Sequence, residues 1–435
     1  MKSRNYGLIL FCFSLSVFVY GYGVLSYRLN LFPIPLIQHA IKGAEELLQL
    51  TETTVPWYYA ETTREERSIV HNAVAIEPGL TLVNGVGADR DLTTRVVNTN
   101  GQVVHSWDID WFDIWPDATH LDTRPKSKPG GHILGMMLMP DGDLVFSFEK
   151  LGMVRLDVCG NVVWRLPYRT HHSVYLDEND IFWVPGQITR RKPVKGLPNH
   201  VPPFEDFTIL KITQDGEVTG EFSVFDILKR NGLNGLLYLS TLKSRVTTVT
   251  GDTLHLNDVK TFPVSMEEGV FRHGDIMISL RNINAVMVVN PDDMKIRFMT
   301  IGTVLRQHDP DFIDGNTISV FDNNNLAPDD DGYHSRIVTI SAIDGSVTER
   351  YSGDDEQPFF TDIMGKHQYL SNGNILITES RKGRAFEIDQ EGEIVWEYFN
   401  VLGNGYVSLI NEAQRLSTEY DEEFFASRIS ACAGS

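Results

Sequence analysis

The chain has 435 residues, and its 58 acidic against 38 basic side chains give a formal net charge of −20. Nucleic-acid binding requires a basic surface, so this charge argues against a nucleic-acid partner. The length allows one large domain with an additional segment, because all-β domains grow by adding similar units around one axis.

An uncharged, largely apolar stretch from Tyr6 to Tyr27 follows Lys2 and Arg4. It is long enough to cross a bilayer. A cleavable signal peptide has a shorter apolar run and an A-x-A-like cleavage site, which is missing here, so an uncleaved anchor over residues 1–28 is favoured. Basic residues before the span place the N-terminus in the cytoplasm and the rest outside. The sequence therefore predicts a single-pass protein of the inner (cell) membrane with its main domain in the periplasm.

Residues 29–78 are predicted to be a stalk or linker. Between Pro35 and Thr51, apolar residues recur at the spacing of a helix: Ile37, Ile41, Ala44, Leu47 and Leu48. This periodicity predicts a short amphipathic helical stalk and implies no chemistry.

Short β-rich runs separated by Gly, Asn and Asp turns begin at about Gly79 and extend to residue 415. A turn, a following strand and a closing strand recur six times, most clearly from Met139, Phe312 and Leu370, and more weakly from Leu80, His171 and His255. Antiparallel units that bury their faces only against their neighbours are typical of propellers. We therefore predict an all-β, six-bladed β-propeller over residues 79–415 and a C-terminal tail over residues 416–435. An open β-solenoid has shorter units.

Two segments interrupt the repeats, one from Gln187 to Phe207 and the other from Asn323 to His334. Long loops in a compact domain are often functional, but a solvated insertion is an equally good interpretation of each.

Three cysteines are present, and Cys12 lies in the apolar N-terminal run. Cys159 and Cys432 are then the only pair that can form a disulfide in an oxidising compartment. The low count is equally consistent with two separate thiols.

Histidines recur at one place in the repeat. His172, His308 and His367 each precede a turn and inner strand by six or seven residues, and His255 stands at the start of another unit. Inner strands of a propeller line the central channel, so equivalent positions on successive blades converge there. One histidine in such a position is usually structural, whereas four in register favour a function.

Several motifs resemble the signatures of the bacterial aryl-sulfate sulfotransferase family. They are Gln307-His-Asp309 with Asp314-Gly-Asn316 and Val320-Phe-Asp-Asn323, Leu254-His-Leu-Asn-Asp258, and Ser279-Leu-Arg-Asn282. The resemblance extends over most of residues 79–415. It implies a six-bladed periplasmic propeller that moves a sulfuryl group from an aryl sulfate donor to a phenolic acceptor without a nucleotide donor.

By this resemblance His308 is the histidine that becomes transiently sulfated in a ping-pong mechanism, and His172, His255 and Arg281 surround the sulfuryl group. The stretch Thr170-His-His-Ser173 departs from the His-His-Asp pattern of the family. The choice between His171 and His172 is therefore open.

These residue types suit the chemistry on their own. A neutral imidazole is a good nucleophile near neutral pH, and covalent catalysis divides one displacement into two easier steps. The charged fork of Arg281 suits sulfuryl oxygens, although an arginine that ties two blades together is a comparable interpretation. Asp309 either orients the ring of His308 or caps the contact between two blades.

No phosphate-binding P-loop, complete GxGxxG, HExxH or CxxC motif occurs in the sequence, so we predict no cofactor and no metal. Three imidazoles can hold zinc, but a neighbouring arginine counts against a second cation. Two alternatives to the sulfotransferase are a non-catalytic binding or scaffold propeller and a metal-dependent hydrolase or lyase.

Overall fold

The computed structural model describes residues 3–29, 31–34, 36–37, 55–241, 248–326 and 332–432. The chain divides into two compact units, Met1–Trp57 and Tyr58–Ser435. In the first unit helix α1 (Ser3–Leu29) contains an apolar stretch, Tyr6–Leu29, that is long enough to cross a membrane. This confirms the predicted N-terminal apolar helix. Of the predicted stalk or linker over residues 29–78, the structure describes residues 29, 31–34, 36–37 and 55–78, and the rest lies outside the described residues.

The second unit is mostly β, which confirms the predicted class. Its described residues form six sheets of four or five strands, numbered here in chain order, and one sheet of three strands. Sheet 1 contains β3 (Thr81–Val86), β4 (Leu92–Val97), β5 (Val103–Ile109) and β29 (Ile410–Arg415). Sheet 2 contains β6 (Ile133–Leu138), β7 (Leu144–Phe148), β8 (Gly152–Leu156) and β9 (Val162–Leu166). Sheet 3 contains β10 (Tyr175–Leu176), β11 (Phe182–Arg190), β12 (His200–Ile212), β13 (Val218–Ser223) and β14 (Val249–Gly251).

In sheets 4, 5 and 6 neighbouring strands are antiparallel. Sheet 4 contains β15 (Leu256–Thr261), β16 (Ile276–Leu280), β17 (Ala285–Val289) and β18 (Ile296–Ile301). Sheet 5 contains β19 (His308–Asp314), β20 (Thr317–Asp322), β21 (Arg336–Ser341) and β22 (Val347–Tyr351). Sheet 6 contains β23 (Lys366–Tyr369), β24 (Ile375–Glu379), β25 (Arg384–Ile388), β26 (Ile394–Phe399) and β2 (Ser68–Val70). The small sheet contains β1 (Tyr59–Glu61), β27 (Val401–Gly403) and β28 (Tyr406–Ser408).

In sheets 2, 4 and 5 the last strand is less buried than the strands before it. Strands β7, β16 and β17 are buried at every residue, whereas β9, β18 and β22 are largely exposed or half-buried. Because successive side chains of a strand point to opposite faces, full burial requires a packed neighbour on each face. The neighbours are the other sheets.

Neighbouring sheets contact one another mainly through their first strands, whereas sheet 3 uses its second strand, β11. Strand β6 contacts β29 and β3, β15 contacts β11, β19 contacts β15, and β23 contacts β19. Sheets 2 and 3 share an apolar cluster that includes Met139, Phe182 and Leu210. Sheet 6 in turn contacts β29 of sheet 1, a strand from the C-terminal end of the chain paired with the N-terminal β3.

Three α-helices occur among the described residues of this unit: α2 (Trp111–Ile114), α3 (Val224–Arg230) and α4 (Glu422–Cys432). Helix α4 buries Phe425 in the core of sheets 1 and 2. Its last residue, Cys432, forms a disulfide with Cys159 in the turn between β8 and β9, with the two Cα atoms 5.6 Å apart. The pairing that the sequence left open is therefore present.

The segment from Gln187 to Phe207 is not a structureless loop. Strands β11 and β12 extend far into it and pair from Phe182 with Ile212 to Arg190 with Phe204. Its Pro and basic residues suggested a loop, but antiparallel pairing along the hairpin satisfies the backbone. Of the second interruption, residues 327–331 lie outside the described residues.

Buried charges join the first strands of sheets 4, 5 and 6 to β29 of sheet 1. Lys260 donates to Asp309 at 3.0 Å and also to Asp311, while Lys366 donates to Asp309 at 3.3 Å and lies 3.9 Å from Glu412. We call these five residues the inter-sheet charge network. Burial alone would raise the pKa of Asp309, but Lys260 and Lys366 outweigh it and hold that pKa well below its usual range.

Candidate active site

Three histidines from sheets 3, 4 and 5 lie together. His172 precedes β10, His255 precedes β15, and His308 is the first residue of β19. The ring centre of His172 is 5.1 Å from that of His255 and 6.1 Å from that of His308. All three side chains are buried. The structure thus brings the three sequence-predicted histidines into one cluster, which we call the histidine cluster.

The ring of His308 is held in one tautomer by Asn323. The Nδ2 of Asn323 donates to the carbonyl oxygens of Thr361 at 3.0 Å and Met364 at 2.7 Å, so its Oδ1 must face His308. That oxygen lies 2.6 Å from Nδ1 of His308. Because an amide oxygen only accepts, Nδ1 carries the proton and Nε2 keeps a free lone pair. Nε2 is buried and has no hydrogen-bond partner among the described residues.

His255 is oriented in the same way by a carboxylate. Its Nδ1 lies 2.5 Å from Oδ2 of Asp252, which fixes the proton on Nδ1 and leaves Nε2 as the basic atom. Within the described part of the chain, Nε2 is also buried without a partner. Buried polar atoms without partners are rare and costly, and they are found preferentially at functional sites.

His171 and His172 differ in what they contact. Their Nδ1 atoms lie 2.9 Å apart, so one ring donates to the other. His171 is fully buried and packs against Phe207. The ring of His172 lies near the rings of both His255 and His308, whereas the ring of His171 lies 6.4 Å from that of His255, so the geometry favours His172 as the member of the site.

The backbone that presents these rings is unusual. His172 and His255 have φ values of 58° and 55°, in the left-handed region that non-glycine residues rarely adopt. Gly135 of β6 faces the His172 segment so closely that a Cβ at this position would lie 2.0 Å from the carbonyl oxygen of His172. A glycine is therefore required at position 135 for sheet 2 to approach the histidine cluster.

The surroundings keep the histidines neutral near pH 7. Burial first, and the charge of Arg281 second, lowers the pKa of His308 to about 3, although the bond to Asn323 opposes the shift. Burial also lowers the pKa of His255, against the effect of Asp252, and lowers the pKa of His172 well below its usual range. A neutral imidazole with a free Nε2 is the nucleophilic form.

Of the charged groups around His308, Arg281 has the largest effect on its pKa. Its backbone N–H donates to the carbonyl oxygen of His255 at 3.0 Å, which ties β16 to the His255 segment. Burial and then the charge of Arg306 lower the pKa of Arg281 to about 10, so the guanidinium is still charged at neutral pH. No carboxylate of the described residues forms an ion pair with Arg281 within 4.0 Å. The charges of Asp252 and Glu149 act on it only from beyond this distance, so its N–H groups are available to an anion.

Asp309 does not orient His308. Its carboxylate accepts from the backbone N–H of His367 at 2.7 Å in addition to the two lysines of the inter-sheet charge network. Of the two interpretations from the sequence, these bonds agree with a contact between neighbouring sheets. His367, expected in register with the histidine cluster, instead has Nε2 2.6 Å from Oγ of Ser319.

Three polar residues of the site had no role assigned from the sequence. Asn323 and Asp252 orient His308 and His255, and the charge of Lys150 is close enough to lower the pKa of both His255 and Asp252. Asn323 stands in a motif quoted above, Val320-Phe-Asp-Asn323, so its residue type was visible. Its partner was not, because Asn323 reaches His308 only across the pairing of β19 with β20.

One group of side chains among the described residues could hold a metal ion by geometry: atoms of Asp309, Asp311 and His367 lie within 4.8 Å of one another. Both carboxylates already accept from Lys260. A metal cation there would meet an ammonium group, so the donor set does not fit a metal well.

A family model described as "Arylsulfotransferase (ASST)" matches residues 135–401. This range is more than half of the chain and includes the histidine cluster and Arg281. No curated protein matches the chain.

Solved structures similar to the chain include propeller-like proteins. A Bacteroides caccae protein of unknown function is 14% identical, with 77% of this chain and 98% of that chain covered and a TM-score of 0.48. TolB from Acinetobacter baumannii is 9% identical, with 77% and 66% covered and a TM-score of 0.43. The WD40 β-propeller domain of Doa1 is 9% identical, with 81% and 93% covered and a TM-score of 0.40.

Proposed function

The chain belongs to the arylsulfotransferase family, and we propose that it moves a sulfuryl group from an aryl sulfate to a phenol through a covalent intermediate on His308. Family membership supports sulfotransferase activity in general. The observation that carries the finer proposal is the free, buried Nε2 of His308, whose tautomer Asn323 fixes beside a cation, Arg281.

In the first half of the reaction the lone pair on Nε2 of His308 attacks the sulfur of the donor. The bond between sulfur and the aryl oxygen breaks, and the phenolate leaves with the bonding electrons. The product is an N-sulfo imidazole on His308 that still donates Nδ1–H to Asn323. Asn323 is thus a positioning residue that also stabilises the positive charge of the substituted ring.

In the second half an acceptor phenol gives its proton to Nε2 of His255 while its oxygen attacks the sulfur. The bond from sulfur to His308 breaks, and the electron pair returns to Nε2. Asp252 stabilises the imidazolium formed on His255, which then gives its proton to the phenolate that leaves in the next cycle. His172, between the two rings, is placed to hydrogen-bond the same phenolic oxygens.

Arg281 is proposed to hold the sulfuryl oxygens. Sulfuryl transfer resembles phosphoryl transfer in having a loose transition state with charge on the peripheral and leaving oxygens. A fixed cation in a partly buried site stabilises such charge without reorganisation. No carboxylate among the described residues lies within 4.0 Å of the guanidinium, and Asp252 and Glu149 act on its charge from farther away.

For the fold we propose that sheets 1 to 6 are the six blades of one propeller. The contacts between successive sheets and the return of β29 to β3 support this arrangement. In it the inter-sheet charge network lies on the innermost strands, and the histidine cluster lies where three of these strands begin.

We also propose that α1 anchors the chain in the inner membrane and that the mostly β unit lies in the periplasm. The disulfide between Cys159 and Cys432 supports this, since disulfides persist in oxidising compartments and are rare in the cytosol. The evidence from the disulfide is independent of the distribution of charged residues around α1.

The membrane topology is tested with a reporter protein that is active only outside the cytoplasm. The reporter is fused to the C-terminus of the chain. We expect this fusion to be active, because Lys2 and Arg4 hold the N-terminus inside. A matched fusion to a reporter that works only in the cytoplasm is expected to be silent. The opposite pattern would show that the mostly β unit stays inside.

Transferase activity is tested by incubating the purified full-length protein, in detergent, with a chromogenic aryl sulfate. Sustained phenol release is expected only when a second phenol is added, because the sulfuryl group must leave His308 for an acceptor. Release that continues at the same rate without an acceptor identifies a hydrolase. A chelator is expected to leave the rate unchanged, and inactivation by the chelator identifies a metal enzyme.

A further inference from the structure

Arg306, two residues before His308, is a second fixed cation beside the site. Its backbone N–H donates to Oδ1 of Asn284 at 3.0 Å, and its Nη1 donates to Oδ1 of Asn282 at 2.7 Å. Its φ of 57° is in the left-handed region, as for His172 and His255. The guanidinium is thus held at one end, while its other N–H groups have no partner among the described residues.

Arg281 and Arg306 meet at the same amide oxygen. Nε and Nη2 of Arg281 lie 3.4 Å from Oδ1 of Asn282, the atom that accepts from Arg306. Neither guanidinium has a carboxylate within 4.0 Å in the described part of the chain. Two like charges this close repel each other, and the charge of Arg306 is the second cause, after burial, of the lowered pKa of Arg281. Negative charge bound beside the two guanidinium groups would relieve the repulsion.

The two arginines are connected to the histidine cluster. Nδ2 of Asn282 donates to the carbonyl oxygen of Asp252 at 3.2 Å and to its Oδ1 at 3.3 Å. Oδ2 of the same carboxylate lies against His255. Arg306 is therefore linked to a ring of the histidine cluster through one amide and one carboxylate.

We propose that Arg306, beside Arg281, forms a second anion subsite that binds a carboxylate on the aromatic ring of the donor or acceptor. The inference rests on the proposed function and adds a substrate class, aryl sulfates and phenols that carry a second anionic group. Arg281 holds the sulfuryl oxygens, and the unused N–H groups of Arg306 bind the carboxylate in a charge-assisted, two-bond contact.

The test compares two chromogenic donors with the full-length protein in detergent. One is a nitrophenyl sulfate with a carboxylate meta to the sulfate, and the other has a carboxamide at the same position. We expect the wild-type protein to prefer the carboxylate donor by about tenfold or more in kcat/KM, since a hydrogen bond to a charged group is stronger than one to a neutral group. High salt is expected to reduce this preference.

Arg306→Gln is expected to remove the preference, because kcat/KM for the carboxylate donor falls about tenfold more than for the carboxamide donor. Arg306→Lys keeps the charge without the fork and is expected to retain part of the preference. Arg350→Gln, at an exposed position of β22, is the matched control and is expected to keep the full preference.

Equal kcat/KM for the two donors in the wild-type protein, or an equal loss for both in Arg306→Gln, overturns the subsite while leaving sulfuryl transfer intact. An equal fall in kcat/KM for the two donors means that Arg306 only holds the side chain of Asn282 in place and does not bind the carboxylate. Failure of both donors to release phenol in the wild-type protein overturns the proposed function itself. The two failures are therefore distinguishable.

Discussion

His308→Asn is expected to abolish both the initial burst of phenol and steady turnover, with kcat/KM lowered by about 10³-fold or more. Asparagine fills part of the same space and can still hydrogen-bond to Asn323, but it has no lone pair on a nucleophilic nitrogen. The loss therefore affects the chemistry and not the packing. Both rates are measured by phenol release from a chromogenic aryl sulfate, with and without an acceptor phenol.

The matched control is His120→Asn, at a half-buried histidine outside the histidine cluster whose Nε2 lies 2.9 Å from the carbonyl oxygen of Leu151. It is expected to keep most of the activity. An unchanged thermal unfolding curve for His308→Asn separates loss of chemistry from loss of fold. If His308→Asn retains most of its activity, another residue is the nucleophile.

Asp309→Asn is expected to lower the free energy of unfolding by about 3–5 kcal/mol, because it removes one partner of a buried ionic network. The carboxylate is 3% exposed and accepts from Lys260 of sheet 4 and from Lys366 and the backbone of His367 in sheet 6. The neutral amide would leave buried ammonium groups with less compensation. Chemical denaturation of the full-length protein measures the change.

Asp355→Asn, at an exposed aspartate in the loop after β22, is the control and is expected to change stability by less than about 0.5 kcal/mol. Equal stabilities for Asp309→Asn and the wild-type protein would contradict a structural role for the inter-sheet charge network. Activity of Asp309→Asn is measured below its unfolding transition, where any loss reports on the position of the neighbouring His308.

The mostly β class and the apolar helix were predictable because both rest on local patterns. An apolar run of bilayer length and the alternation of turns with short strands can be seen in one stretch of sequence at a time. The convergence of His172, His255 and His308 was also predictable, since repetition converts a common register into a common position.

Register counting placed His367 with these three because it took no account of irregularities in the strands. His308 is the first residue of β19, whereas His367 is the second residue of β23. The pairing of β19 shifts register directly after His308, whereas β23 pairs regularly with β24, so the same count along the sequence leads to different directions of the side chain. His367 therefore bonds to Ser319 and lies outside the histidine cluster.

Partners that come from distant segments could not be predicted. Asp309 follows His308 directly and suggested itself as its partner, but Asn323, 15 residues later, makes the bond. Cys159 and Cys432 are 273 residues apart, and only the position of α4 beside sheet 2 brings them together. Such pairings depend on the tertiary fold, and the residue types alone leave several choices open.

The most direct test of the proposed mechanism is to locate the sulfuryl group. The full-length protein is incubated with an aryl sulfate in the absence of an acceptor, quenched above neutral pH to protect an acid-labile bond, digested, and analysed by mass spectrometry. The account predicts a burst of one phenol per protein and a sulfuryl group on the peptide that contains His308, which a phenol then removes. A burst with the label on another residue, or acceptor-dependent turnover with no labelled peptide, would contradict it.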